Sequence, residues 1–125
     1  MDMYDDEDGV KALVAYCEEV VREVADYYIE AGCDIIAAVD PLVSQISPDM
    51  FETFLSEPYT KFFASMREKG MPSSFFVCGD ATKNIEPMCL TRPDCIAIDE
   101  NVDIVEAKKL TDAHGITISG NLQLT

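Results

Sequence analysis

Four short apolar runs, spaced along the chain, constrain its fold more than any other feature. They read DIIAAV (34–39), SFFVC (74–78), CIAI (95–98) and ITIS (116–119). Each run is close to continuously apolar, which is the pattern of strands covered on both faces, as in a parallel sheet. The segments between the runs have helical patterns, so we expect strands and helices to alternate.

The first predicted helix spans about residues 9–31, after an acidic stretch of nine residues that we expect to be frayed. Its apolar residues recur at steps of three and four, which predicts one buried helical face. The stripe consists of Val10, Leu13, Val14, Cys17, Val21, Val24, Tyr28 and Ala31.

Three further helices are predicted at about 47–69, 81–91 and 102–114. The first of them has clear start signals, since Ser47 can cap the helix and Pro48 suits its first turn. The order of elements is therefore α-β-α-β-α-β-α-β.

This order suits either a (β/α)8 barrel or an open doubly wound sheet. A full barrel takes about 250 residues, so 125 residues correspond to about half of one. We therefore predict an α/β fold with four consecutive β/α units of a TIM-type barrel, forming one partial domain over residues 1–125. Open edges at both outer strands predict self-association. No helix is predicted after the fourth strand, where a β/α unit would have one, and this predicts that the chain is a piece of a longer protein.

The charge balance excludes some partners. With 9 Lys and Arg against 24 Asp and Glu, the net charge of -15 would repel nucleic acid and anionic membranes. The sequence contains no apolar run near the roughly 18 residues needed to cross a bilayer. Its five cysteines follow no disulfide pattern and no export signal is visible, so we expect a reducing cytoplasm.

Polar residues follow every predicted strand. The ends read DPLVSQ (40–45), CGDA (78–81), DEN (99–101) and GN (120–121). Because ligands bind beyond the carboxyl ends of parallel strands in both architectures, these residues predict a functional site along one rim.

Several blocks resemble a known family. AGCDIIAAVDPLVSQISPDMFETFLSEPYTKFF, FFVCGDATKNIEPM, DCIAIDENVDIVEAKKL and ITISGNLQ are similar, in that order, to consecutive blocks of the uroporphyrinogen decarboxylase superfamily. The resemblance covers about residues 20–123 and implies a (β/α)8 barrel.

Two branches of that superfamily compete. Porphyrinogen decarboxylases typically have an acid, serine and histidine where this chain has Asp40, Pro41 and Leu42, and a tryptophan where it has Glu100. The forms DP…SQISP, VCGD and IDENVD instead resemble cobalamin-dependent methyltransferases. That branch implies methyl transfer between a corrinoid protein and a small thiol such as coenzyme M. The full-length protein would then be an enzyme, and this chain by itself is expected to be inactive.

The same resemblance implies zinc as a cofactor. Members of the branch bind zinc through a His-x-Cys pair and a distant cysteine, and the metal activates the substrate thiol. Cys78 falls on the cysteine of the pair, but Phe76 occupies the histidine position. Either other residues complete the site, with Asp80, Asp99 and Glu100 as candidates, or zinc has been lost. Cys89 and Cys95 do not supply the distant ligand, since one lies in a predicted helix and the other starts a strand.

The candidate residues also have structural alternatives. Loop capping would explain the carboxylates, turn geometry the glycines and the asparagine, and packing a cysteine at a strand end. His114 is expected to offset a helix dipole. The predicted catalytic residues are Cys78, Asp40 and Glu100, and the predicted ligand-binding residues are Asp80, Asp99, Gly79, Gly120 and Asn121.

Three functions follow. The leading hypothesis is part of a corrinoid-dependent methyltransferase, with zinc assistance and a corrinoid carried by a partner. The second is a uroporphyrinogen decarboxylase-like lyase. The third is a non-catalytic corrinoid-binding or assembly module, which Phe76 favours.

Overall fold

A computed structural model describes residues 2–123, without the side chains of residues 2 and 4. Its centre is a sheet of four parallel strands in the order β1-β2-β3-β4. The strands are β1 (Ile36–Val39), β2 (Ser73–Val77), β3 (Cys95–Ile98) and β4 (Thr117–Gly120). The predicted α/β alternation is therefore confirmed, with each strand within a few residues of its apolar run.

The strand order distinguishes the two predicted architectures. A doubly wound sheet requires a reversal in the order of its strands, whereas here spatial order follows chain order throughout. Right-handed crossovers without a reversal place every connecting helix on the same face. The four units are therefore consistent with part of a TIM-type barrel.

The helices cover that one face of the sheet. No helix of the described residues is long and apolar enough to cross a membrane. The α-helices are α1 (Asp2–Asp5), α2 (Glu7–Glu30), α3 (Pro48–Phe54), α4 (Ser56–Glu68), α5 (Ile85–Leu90) and α6 (Ile104–Ala113), and 3-10 turns occupy Pro41–Gln45 and Thr82–Asn84.

The single helix predicted over 47–69 is wrong, because the structure divides it at Leu55 into α3 and α4. Its predicted start is confirmed, since the Ser47 hydroxyl accepts a hydrogen bond from Met50 N at 3.3 Å and Pro48 occupies the first turn. Pro58 accounts for the break. It has no N–H to donate to the Phe54 carbonyl, and its ring crowds that carbonyl.

An aromatic cluster between α3, α4 and β2 holds the helices on the sheet. Tyr59 and Phe75 have ring centroids 4.2 Å apart, and Phe63 and Phe75 lie 5.5 Å apart. Phe51, Phe63 and Phe75 are fully buried. Since burying one such side chain stabilises a fold by about 1.5–3 kcal/mol, this cluster is the main anchor of β2.

The predicted burial of both sheet faces is wrong. Burial alternates along β1 and β2, so that Ala38, Phe75 and Val77 are buried, whereas Val39 is 58% exposed. The helices cover one face, and no described residue packs fully over the other. One row of the uncovered face runs across the sheet in register, through Val39, Phe76, Ala97 and Ser119.

The predicted buried stripe of the first helix is also wrong. Leu13 and Val21 are 61% and 50% exposed, and the buried residue of α2 is Ala25. Leu13 and Val21 instead line an apolar groove of about 400 Å³ between α2, α4 and the open edge of β1. The periodicity identified an apolar face correctly, but within this chain nothing described covers it.

Candidate functional site

The carboxyl ends of the four strands lie side by side and form a rim, as predicted. Asp40 follows β1, Cys78 follows β2 and Asp99 follows β3, while Asn121 follows β4. Adjacent strands pair in register up to these positions, with Val39 opposite Phe76 and Val77 opposite Ile98. The fold therefore brings the predicted residues to one end of the sheet.

A hydrogen bond joins the rims of β2 and β3. Gly79 N donates to Asp99 Oδ2, while Asn101 donates to Asp99 Oδ1 from its backbone N at 2.9 Å and its side chain at 3.1 Å. Burial raises the pKa of Asp99, but these hydrogen bonds outweigh it, so the pKa lies below its ordinary value. Asp99 is therefore held as a carboxylate and binds the neighbouring loop.

Gly79 is required at this junction for two reasons. Its φ is +82°, and a Cβ atom there would lie 2.9 Å from Ser44 Oγ in the loop after β1. Gly79 therefore allows the loops after β1 and β2 to pack closely, and its predicted contact with a ligand stays a prediction.

Asp40 is fixed by both of its carboxylate oxygens. Oδ1 accepts from Leu42 N at 3.0 Å and caps the following turn, while Oδ2 accepts from the Tyr59 hydroxyl at 2.8 Å. Loop capping, the structural alternative for this acid, is thus part of its role. Its remaining acceptor capacity faces the groove beside β1.

Asp80 makes only local contacts among the described residues. Its Oδ1 accepts from Thr82 N at 3.1 Å and Thr82 Oγ1 at 2.6 Å. The side-chain hydrogen bond from Thr82 is the main cause of a lowered pKa for Asp80. Because the side chain is exposed, it is a weaker candidate for holding a ligand than Asp99.

Two predicted residues have reactive atoms that the protein leaves unengaged. Glu100 is half-buried, and its Oε2 is buried without a hydrogen-bond partner among the described residues. Cys78 is a half-buried free thiol, and its Sγ makes no hydrogen bond within the described part of the chain. A buried carboxylate oxygen without a partner is destabilising, so it is a natural contact for a ligand.

Gly120 and Asn121 close the rim at β4. Asn121 Nδ2 donates to Val102 O at 2.9 Å, which ties the end of β4 to the loop before α6. A Cβ atom on Gly120 would lie 2.0 Å from Ile98 O, so glycine is needed for the two strands to approach. Neither contact is a turn, since Gly120 is the last residue of β4 and Asn121 binds a carbonyl 19 positions away, so the turn alternative does not describe these two residues.

The remaining singled-out residues lie away from the rim. Cys89 is buried in α5, and Cys95 starts β3 at the opposite end of the sheet, with its Sγ 3.4 Å from Ser119 Oγ. His114 caps the C-terminus of α6, as predicted. Neither cysteine can meet Cys78 at the rim.

The zinc site implied by the resemblance does not fit the residues present. Phe76 lies on the uncovered sheet face where the histidine ligand would be needed, and a phenyl ring cannot bind a metal. Across residues 2–123, no three His, Cys, Asp or Glu side chains come together in a way that could hold a metal ion. A zinc site including Cys78 would need ligands from outside this chain.

Sequence reasoning missed two residues that shape the rim. Tyr59 holds Asp40 from α4, and Asn84, which is fully buried, donates to Val43 O at 2.6 Å and Ile46 O at 2.9 Å. Asn84 therefore fixes the loop that follows β1. A single asparagine after CGDATK carries no pattern that would have revealed this contact.

Comparison with known proteins agrees with this geometry. The family model described as uroporphyrinogen decarboxylase (URO-D) matches residues 1–124.

Relatives of the chain fall into two groups. Methylcobamide:CoM methyltransferase MtbA of Methanosarcina mazei is 29% identical over 122 residues, which is 96% of this chain and 35% of the relative. MtbA of Methanosarcina acetivorans is 29% identical, again over 96% of this chain and 35% of its own. Uroporphyrinogen decarboxylase of Trichodesmium erythraeum is 30% identical over 106 residues, which is 83% of this chain and 29% of that enzyme. This chain thus spans about a third of the length of these curated relatives.

Proposed function

Because the chain belongs to the uroporphyrinogen decarboxylase family, we propose that it contributes part of the active site of a corrinoid-dependent methyltransferase. In this proposal, a methyl group passes between a corrinoid on a partner protein and a small thiol. The observation that carries the proposal is the pair of unengaged groups at the rim, Cys78 and the buried Oε2 of Glu100.

The departures from the decarboxylase pattern support this choice. Pro41 and Leu42 stand where porphyrinogen decarboxylases typically have serine and histidine, and Glu100 stands where they have tryptophan. Two relatives are named as methylcobamide:CoM methyltransferases and match 96% of the chain.

The chemistry needs a base near the thiol. When the thiol accepts a methyl group, its sulfur supplies the electron pair of the new S–C bond, the corrinoid retains the pair from the broken bond, and the thiol loses its proton. Glu100 Oε2 accepts that proton, since it is a buried rim carboxylate oxygen with no donor among the described residues.

The other rim residues position these groups. Asp99 and Gly79 lock the loops after β2 and β3 together, and Tyr59 fixes Asp40 beside the groove at β1. Asp40, Asp80, Asp99 and Glu100 also give the rim a negative potential, which favours a cation at the site. The described residues do not complete a zinc site, so a zinc ion bound by Cys78 would need its remaining ligands from outside this chain.

Methyl transfer in the longest available form of the protein tests the proposal. Methylcobalamin and coenzyme M are mixed with each variant, and loss of the methyl-cobalt absorbance is followed. We expect Cys78→Ser and Glu100→Gln to lower the rate by about 100-fold or more. Cys33→Ser and Glu106→Gln, at exposed positions away from the rim, serve as matched controls. Full activity of both rim variants would overturn the assignment.

A lyase acting on uroporphyrinogen is the second candidate, because the uroporphyrinogen decarboxylases among the relatives match between 83% and 95% of this chain. Release of CO2 from uroporphyrinogen, without methyl transfer, would favour it. Corrinoid binding without either activity, in protein supplied with zinc, would instead favour a non-catalytic module, for which Phe76 is the supporting residue.

We also propose that the open edges of β1 and β4 are covered in the functional assembly. Each edge strand pairs with one neighbour, and the β1 edge adjoins the apolar groove lined by Leu13 and Val21. Further β/α units or a second copy would satisfy both features. Light scattering on the 125-residue chain tests self-association, since a monomer at high concentration would contradict pairing between copies.

A further inference from the structure

A cleft of about 600 Å³ lies at the amino-terminal end of β3 and β4, opposite the candidate site. Its walls come from the last turn of α4 and from the loops that follow α5 and α6. Two arginines, one acid and the histidine are among the side chains that line it: Arg67, Arg92, Asp94 and His114.

Positive charge is concentrated in this cleft. The whole chain has 9 Lys and Arg and one His against 24 Asp and Glu, yet two of its three arginines and its histidine meet here. The lining includes one acid, Asp94, whose Oδ2 accepts hydrogen bonds from Ser73 N at 2.8 Å and Ser73 Oγ at 2.9 Å. The cleft is thus basic on an otherwise acidic protein.

The two arginines also lack acidic partners. Within residues 2–123, neither Arg67 nor Arg92 forms an ion pair with a carboxylate. Six other basic side chains do so, namely Lys11, Arg22, Lys61, Lys69, Lys108 and Lys109. Because acidic residues are abundant in this chain, two arginines that form no ion pair with a carboxylate are available to bind an external anion.

One arginine is already ordered for binding. Arg67 Nη2 donates to Arg92 O at 2.7 Å, which fixes the guanidinium against the loop after α5 and leaves its other N–H groups free. Arg92 itself has a φ of +61°, at the position after the helix cap where glycine is most favourable. The chain therefore holds an arginine side chain at a position that suits arginine poorly.

Helix dipoles explain only part of this arrangement. Arg67, Arg92 and His114 each lie at or just beyond a helix C-terminus, where a positive charge is favourable. That effect acts on each helix separately. It does not require two guanidinium groups and an imidazole to share one cleft.

We propose that this cleft binds the phosphate group of a small phosphate-bearing ligand. Two guanidinium groups and an imidazole offer more donors than one carboxylate can accept, whereas a phosphate has more acceptor oxygens and carries a larger charge. The site is independent of the proposed methyl transfer, because it lies at the other end of the sheet and uses none of the rim residues.

Titration of the 125-residue chain with inorganic phosphate tests the proposal, with heat of binding and backbone amide shifts as readouts. We expect shifts around Arg92 and Gly115, and a loss of affinity of about 10-fold or more in Arg67→Gln/Arg92→Gln. The control Lys108→Gln/Lys109→Gln removes the same charge from exposed α6 positions and should bind like the unaltered protein.

The single variant Arg92→Gln covers the case in which the double variant does not fold. The Arg92 guanidinium makes no hydrogen bond within the described residues, so its loss should weaken phosphate binding without unfolding the chain. The proposal would be overturned if the unaltered protein did not bind phosphate. It would also be overturned if the lysine control lost as much affinity for phosphate as the arginine variants, or if the unaltered protein bound succinate as tightly as phosphate.

Discussion

Tyr59 donates its hydroxyl hydrogen to Asp40 Oδ2 at 2.8 Å, so a residue of α4 fixes the acid that ends β1. Burial, and then the nearby negative charge of Asp40, raise the pKa of Tyr59 well above its ordinary value. The phenol is therefore held as a neutral donor, and Asp40 keeps a defined orientation beside the groove.

Tyr59→Phe should lower the free energy of unfolding by about 1–2 kcal/mol at pH 7, because it leaves a half-buried carboxylate oxygen without its donor. Urea unfolding measures the change. Tyr27→Phe is the matched control, since Tyr27 makes an exposed hydrogen bond to Glu23 at 3.2 Å, and no measurable change is expected there. Equal effects in the two variants would contradict a special role for Tyr59.

The same variant has a predictable dependence on pH. In the unfolded chain Tyr59 loses its proton near pH 10, whereas the folded protein keeps it to higher pH. The stability that Tyr59 contributes is therefore complete below about pH 10 and declines as pH rises above it. The difference in free energy of unfolding between the unaltered protein and Tyr59→Phe should become smaller between pH 9 and pH 11. A constant difference over that range would show that Tyr59 titrates alike in both states.

Neither Tyr59 nor Asn84 could be predicted from the sequence, although Asp40 and Cys78 could be placed at the rim. A parallel sheet determines where strand ends lie, so an acid directly after an apolar run is located by that run. The Tyr59–Asp40 contact joins residues 19 positions apart, and it depends on how α4 packs. Sequence periodicity does not contain that information.

The predictions of a buried stripe on α2 and of a single helix over 47–69 are wrong for different reasons. Periodicity in α2 identified an apolar face, but it cannot say whether the partner of that face lies within the chain. For the break at Leu55 a signal was present, since Pro58 interrupts the predicted helix. Its effect was outweighed by the apolar pattern on either side.

Asp99→Asn should destabilise the chain at neutral pH, because the amide replaces a carboxylate that accepts hydrogen bonds from Gly79 and Asn101. The lowered pKa of Asp99 gives the sign of the pH dependence. The stability that the Asp99 carboxylate contributes is present above its pKa in the unfolded chain, which is about 4. That stability is lost as the pH falls through the lower pKa of Asp99 in the folded protein. The difference in free energy of unfolding between Asp99→Asn and the unaltered protein should therefore become smaller below about pH 4.

Unfolding curves between pH 2 and pH 7 measure this effect. Asp112→Asn provides the control, since Asp112 is an exposed acid paired with Lys108 on α6. If Asp99→Asn were as stable as the control at pH 7, Asp99 would not be the link between the rims of β2 and β3.

Gly120→Ala should prevent β4 from pairing with β3. The added Cβ would lie 2.0 Å from Ile98 O, at a φ of +115°, so backbone atoms would have to move. A loss of about 3 kcal/mol or more is expected. Gly70→Ala shares the positive φ, at +67°, but meets nothing within 4 Å, and should cost about 1 kcal/mol. Denaturant unfolding of the two variants separates the steric conflict with Ile98 O from the cost of a positive φ. Equal losses in free energy of unfolding would show that the added Cβ meets no steric conflict at position 120.

Cys89 should be the slowest of the five cysteines to react with iodoacetamide in the folded protein. Burial, and then the nearby charge of Glu86, raise the pKa of its thiol to about 11, so only about one molecule in a thousand carries the thiolate at pH 8. Cys17 and Cys33 are exposed and should be alkylated first, with Cys78 between these extremes. Peptide mass mapping over time measures each rate, and in concentrated urea the five rates should converge. Alkylation of Cys89 at the rate of Cys33 in the folded chain would show that α5 opens readily, and the packing between α5 and the sheet would then be weaker than its complete burial implies.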